Sequence, residues 1–169
     1  MRPVFLVLIV FSLIGFWPLI FTVKAASQAA LFLNPASGSF LVGSTFDLSI
    51  ILDTKNSSVN TVEVELLFPA DKIQVASQSL GGQSIIQLWP APPSFSNKEG
   101  RIYFIGGIPS PGINTSQGIV LTLTFRVIAP GSGQISFGKS STVLANDGKA
   151  TNILGQKPPA FLKFMVPPP

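Results

Sequence analysis

Ile119-Val120-Leu121-Thr122-Leu123-Thr124-Phe125-Arg126-Val127 carries an apolar side chain at every second position. Ile119, Leu121, Leu123, Phe125 and Val127 share one phase, and Thr122, Thr124 and Arg126 share the other. Successive side chains of an extended chain point to opposite faces, so this pattern predicts a strand with one face in a core and one in water. The same rhythm recurs upstream. Over Thr45 to Asp53, Phe46, Leu48, Ile50 and Leu52 oppose Asp47, Ser49 and Asp53. Over Val62 to Phe68, Val62, Val64, Leu66 and Phe68 oppose Glu63 and Glu65. Such alternation marks half-buried strands of antiparallel sheets.

Shorter strands are predicted at Leu31 to Leu33, Ile73 to Ala76, Ile85 to Leu88, Arg101 to Ile105, Gln134 to Phe137 and Phe161 to Val166. Asn34-Pro35, Gly81-Gly82, Pro109 to Asn114, Pro130-Gly131 and Asp147-Gly148 separate them with turn chemistry. No helical period runs through this part of the chain. Many short strands punctuated by turns predict an all-β sandwich or barrel.

The start of the chain reads differently. Met1-Arg2-Pro3 precedes an apolar run from Val4 to Val23, and Lys24-Ala25-Ala26 follows. A short basic start, an apolar middle and a small-residue exit are the parts of a secretory signal. The run is also long enough to cross a bilayer, which takes about 20 apolar residues. Residues 1–25 are therefore read as a signal peptide or a signal anchor. The expected location is secreted or at the cell surface, with membrane contact only through this segment if it is not cleaved. Residues 29–166 form the expected domain, and the prolines of 167–169 an extended, stiff tail.

Composition narrows the chemistry. The chain holds no cysteine and no histidine. Disulfides are absent, and so are the commonest general base and the commonest transition-metal ligand. No Ser-His-Asp or Cys-His device can be assembled. Arg2 and Lys24 belong to the leader; without them the formal net charge falls from +4 to +2. The remaining basic residues are scattered, whereas a nucleic-acid surface needs them clustered. The nearest carboxylate pair, Glu63 and Glu65, lies on one strand face instead of flanking a cleft, so glycoside cleavage is not expected. Asp147-Gly148 reads as a turn. Asn56-Ser57-Ser58 and Asn114-Thr115-Ser116 fit the glycosylation acceptor pattern. The chain is read as a non-enzyme with no cofactor and no metal.

The densest motif runs from Trp89 to Pro111: a Pro-rich loop Trp89-Pro90-Ala91-Pro92-Pro93-Ser94-Phe95, an Asn97-x-x-Gly100 turn, a short strand from Arg101, then Gly106-Gly107. Asn146-Asp147-Gly148 makes a later turn. With Leu33-Asn34-Pro35 to Gly43, Val59 to Pro69, and Ile119 to Val127 followed by Gly131-Ser132-Gly133, these residues resemble the cohesin family in order and spacing from about Ala30 to Val166. The resemblance implies a nine-stranded antiparallel β-sandwich of jelly-roll topology, related in fold to carbohydrate-binding modules. It also implies a non-catalytic module that attaches to a protein partner, dockerin-like, in an extracellular or polysaccharide-degrading assembly. Similar modules occur in surface proteins outside such assemblies.

Matched strand by strand, the resemblance implies a docking face on Val62–Phe68, Ile85–Leu88, Arg101–Ile105 and Gln134–Phe137. Its outward side chains are Glu63, Glu65, Leu67, Arg101, Tyr103, Ile105, Gln134 and Ser136. Leu67, Tyr103 and Ile105 are apolar where alternation predicts solvent, as at partner surfaces. They sit on an open face or beneath a loop. Trp89 and Phe95 are candidates for stacking on a sugar, or for plugging the rim of the sandwich. Carbohydrate binding by a module of the same fold is the alternative function. A fibronectin-like sandwich is the alternative fold; it leaves Gly106-Gly107 and Asn146-Asp147-Gly148 unexplained.

Overall fold

A computed structural model describes residues 28–79 and 83–169. The signal segment over residues 1–25 lies outside them. Every regular element among the described residues is a strand: β1 (Ala29–Asn34), β2 (Ser37–Leu41), β3 (Thr45–Asp53), β4 (Val59–Leu67), β5 (Ile73–Ser79), β6 (Leu88–Ser96), β7 (Arg101–Gly107), β8 (Gly118–Val127), β9 (Gly131–Phe137), β10 (Thr142–Ala145), β11 (Leu154–Gln156) and β12 (Ala160–Met165). No helix among these residues is long and apolar enough to cross a membrane.

Two sheets pack face to face. One has the order β11-β1-β3-β8-β5; the other runs β2-β12-β9-β4-β7-β6, with β10 also paired to β4. The predicted inward residues meet between them. Phe46, Leu48, Ile50 and Leu52 of β3, Val62, Val64 and Leu66 of β4, and Leu121, Leu123, Phe125 and Val127 of β8 are all buried. Phe125 stacks on Phe46 at 5.7 Å between ring centroids and takes the edge of Phe68 at 5.3 Å. Aromatic pairs in such offset or edge-on geometry add to the transfer of their apolar area from water.

Twelve strands replace the nine expected, for local reasons. β2, β10 and β11 are five residues long or fewer, too short to show an alternation strong enough to read. The strand expected at Ile85–Leu88 is displaced: β6 starts at Leu88 and runs through the prolines that the sequence assigns to a loop. Pro90, Pro92 and Pro93 are tolerated because β6 is an edge strand, and its pairing with β7 slips twice. Ile119 is half-buried and on the outer side, while Val120 is fully buried. A bulge explains the phase change: Ile50 pairs with Leu121 and Ile51 with Ile119, so Val120 is the extra residue.

The Asn97-x-x-Gly100 turn ties the sheets together. Asn97 Oδ1 accepts from the Val75 amide at 2.8 Å, and its Nδ2 donates to the Val75 carbonyl at 3.1 Å. The side chain thus takes the place of a neighbouring strand beside β5. Gly100 has φ of +65°, and a Cβ there would lie 2.2 Å from the Phe68 carbonyl oxygen, so only glycine fits. Asn97→Ala is expected to lower stability by about 1–2 kcal/mol, because both Val75 backbone groups lose their partner. Chemical denaturation checks this; an unchanged midpoint would show that water replaces the amide.

Candidate functional site

The register of the larger sheet decides which side chains share a face. Across β4 and β7, Glu63 lies opposite Ile105, Glu65 opposite Tyr103, and Leu67 opposite Arg101. Across β4 and β9, Leu67 lies opposite Ser136. The intervening Val62, Val64, Leu66, Ile102, Phe104 and Ile135 are buried. Glu63, Glu65, Leu67, Arg101, Tyr103, Ile105, Gln134 and Ser136 therefore all lie on the outer side of one sheet. β9, β4, β7 and β6 are neighbours in that order. Ile85–Leu88 supplies only Leu88 to them, since β6 replaces it.

The centre of this face is polar and internally paired. Tyr103 Oη donates to Glu63 Oε1 at 2.7 Å, and the Thr142 hydroxyl reaches Glu63 Oε2 at 3.4 Å. Arg101 Nε meets Glu65 Oε1 at 2.8 Å, and its guanidinium lies 5.9 Å from the Tyr103 ring centroid. The Ser140 hydroxyl donates to Glu65 Oε2 at 2.9 Å. Gly138 leaves the space that the Glu65 side chain fills: a Cβ there would sit 2.1 Å from Oε2. The buried Ser141 hydroxyl bridges the Glu65 amide and carbonyl, both at 3.1 Å. Segment 138–141 thus continues the sheet between β9 and β10 through serine side chains.

These partners set the charges. The Ser140 hydroxyl and amide, with Arg101 beside them, hold the Glu65 carboxyl below its ordinary value of 4.5. The Glu63 carboxylate, bonded to the phenol, raises the Tyr103 pKa above its ordinary 10.0. Because Glu65 is depressed in the folded state, its contribution to stability is complete above the unfolded carboxyl pKa. It is lost as pH falls through the lower folded value. Glu65→Gln is therefore expected to flatten the fall in stability below about pH 4.5. Denaturant titrations at a series of acidic pH values check this; parallel curves for the two proteins would count against it.

Around the paired centre lie uncovered apolar groups. Leu67 is 40% exposed and Leu88 55%; Phe95, 45% exposed, pairs with the buried Ile102 and so belongs to the inward phase at the edge of the sheet. Tyr103 and Ile105 are half-buried by their sheet neighbours. Trp89 turns toward the core and meets the Phe104 ring edge-on at 5.8 Å, so it plugs the sandwich. Phe95 stands at the far end of β6, and among the described residues no second ring stacks with it. Ser140, Ser141 and Thr142, which position both glutamates, were not legible as site residues, because an uncharged polar run reads as a loop. Among the described residues no group of three or more acidic side chains is placed to hold a metal ion.

No family model and no curated protein matches this sequence. Solved structures do match in fold. The seventh ScaB type I cohesin from Pseudobacteroides cellulosolvens is 19% identical; the match covers 84% of this chain and 95% of that one, with a TM-score of 0.64. A chain of the Coh-OlpC–Doc435 type I cohesin–dockerin complex from Clostridium thermocellum is 16% identical over 82% of this chain and 95% of that one, with a TM-score of 0.63. The cohesin module of a family 33 glycoside hydrolase from Clostridium perfringens is 9% identical over 83% and 97%, with a TM-score of 0.59. These likenesses show that the described domain has the cohesin fold.

Proposed function

We propose that this chain is an exported, non-catalytic binding module that holds a dockerin-like protein on the outer face of β9, β4, β7 and β6. Residues 1–25 direct or tether it, 29–166 form the binding domain of jelly-roll type, and 167–169 form its tail. One observation carries the reading. Leu67, Tyr103 and Ile105 share an outer face, Leu67 exposed and the other two half-buried, around acids that are already paired within the chain. Apolar side chains next to pre-ordered polar groups suit a protein interface, because little ordering entropy remains to be lost on docking. Likeness in fold to chains of cohesin–dockerin complexes supports the class of partner. The extracellular setting follows from the leader.

The test compares faces. The full chain is immobilised and challenged with secreted and surface proteins of its own source, beside Leu67→Glu and Ile128→Glu variants. Ile128 is also exposed, at 38%, but follows β8 in the other sheet. The expected result is a protein retained by the parent chain and by Ile128→Glu, and lost with Leu67→Glu. Retention by all three, or loss from both variants, would overturn the assignment of the face.

A further inference from the structure

We propose that two copies of this chain pair edge to edge through β2, giving an antiparallel dimer with one continuous sheet. An open sheet edge is a template for another strand, and proteins normally guard it. The other edges here are guarded. β11 has three residues. β6 carries three prolines and two slips in register. β5 is sealed at Val75 by Asn97 and broken by a bulge. The free side of β10 is taken by Thr151 and Ile153, which bond to Ala145 and Val143.

β2 has none of these devices. It reads Ser37-Gly38-Ser39-Phe40-Leu41, without proline or charge, and pairs with β12 in unbroken register. Phe161 donates to the Ala36 carbonyl at 2.9 Å, and Val42 to the Met165 carbonyl at 2.8 Å. Even-numbered residues of this stretch therefore bond to β12. The odd-numbered Ser37, Ser39 and Leu41 turn their backbone groups to the open side. The Leu41 carbonyl is engaged by Ser44; the Ser37 and Ser39 groups and the Leu41 amide have no strand partner among the described residues.

Self-pairing fits this edge for three reasons. Centred on Ser39, an antiparallel pair sets Ser37 against Leu41 of the other copy: the two Ser39 residues exchange both backbone bonds and each Leu41 amide donates to the other copy's Ser37 carbonyl, while the Leu41 carbonyl stays with Ser44. No like charges are opposed, because the strand has none. Apolar side chains also fall opposite small ones. Phe161, 61% exposed, flanks Ser37 on the same face, and Met165 flanks Leu41. In the dimer each Ser37 lies between Phe161 of its own copy and Leu41 of the other, so the two exposed apolar groups meet over a serine. The two-fold axis is normal to the sheet and leaves both outer faces pointing the same way. A partner with two docking sites would then gain avidity. That consequence rests on the proposed docking face; the dimer does not.

The chain has no cysteine, so each introduced cysteine reports one site. Ser39→Cys brings two thiols together at a Cα separation of about 5.5 Å, within disulfide range. Under mild oxidation the full chain carrying Ser39→Cys is expected to become a covalent dimer, and Gln74→Cys, on edge strand β5, to stay monomeric. In sedimentation equilibrium the unmodified chain is expected to approach twice its monomer mass as concentration rises. Ser39→Lys, an exposed position, is expected to weaken that association by roughly tenfold or more, since it opposes two like charges. A monomer at every concentration overturns the proposal, as does a dimer indifferent to Ser39→Lys. A Ser39→Cys thiol that links to a different protein also overturns it, and assigns the edge to a foreign strand.

Discussion

Phe104→Ala is expected to remove about 3–5 kcal/mol of folding stability, the range for truncating a buried aromatic. Phe104 is among the largest fully buried side chains. It sits in mid-β7 opposite Val64 of β4, and Trp89 of β6 rests on it edge-on. Three strands of the larger sheet therefore converge on one ring. Val64 is fixed opposite it by backbone pairing and is too small to fill the void. The midpoint of thermal unfolding is expected to fall by about 10 °C, and reducing agent to change nothing. A variant that melts within a few degrees of the parent would show that the sheets close over the gap.

Alternation made the core legible wherever a strand is half-buried and unbroken. β3, β4 and most of β8 lie as their period predicts, because a slip of one residue would expose every apolar side chain. Legibility failed where pairing departs from a regular ladder. Ile119 belongs to the inward phase of its own sequence, and the bulge opposite Ile50 and Ile51 puts Val120 there instead. The Pro-rich run Leu88–Ser96 looks like a loop, yet an edge strand needs hydrogen bonds on one side only. β2, β10 and β11 are held by neighbours distant in sequence, a cause that no local pattern records.

The candidate face was legible to the level of residues, but its character was not. Alternation on β4 and β7 suffices to place Glu63, Glu65, Leu67, Arg101, Tyr103 and Ile105 on one surface. Pairing across strands changes what that surface offers. Both glutamates and the arginine are engaged within the chain, so the free chemistry is apolar. Phe161 escaped notice because Ala160-Phe161-Leu162-Lys163-Phe164-Met165 is apolar at nearly every position. Only Lys163 marks the outward phase, and it places Phe161 and Met165 beside it in solvent.

Tyr103→Ala is expected to weaken attachment of the partner by about 1–3 kcal/mol while leaving the fold nearly as stable. The ring is half-buried against its own sheet face and makes no part of the core. Its loss leaves no cavity between the sheets. It does remove the hydroxyl bonded to Glu63 and the ring beneath Arg101, two contacts that order the outer face. Tyr103→Phe separates these roles. It keeps the ring and the cation contact, but frees one Glu63 oxygen. Affinity is then expected to fall less, and to depend more on salt, because a released carboxylate is screened. Reversing Glu63 to lysine is expected to act mainly on the association rate at low salt. Calorimetric titration with the retained partner, paired with thermal melts of each variant, reads both quantities. A Tyr103→Ala chain that unfolds would make the ring a structural support, and one that binds undiminished would move the interface elsewhere on the sheet.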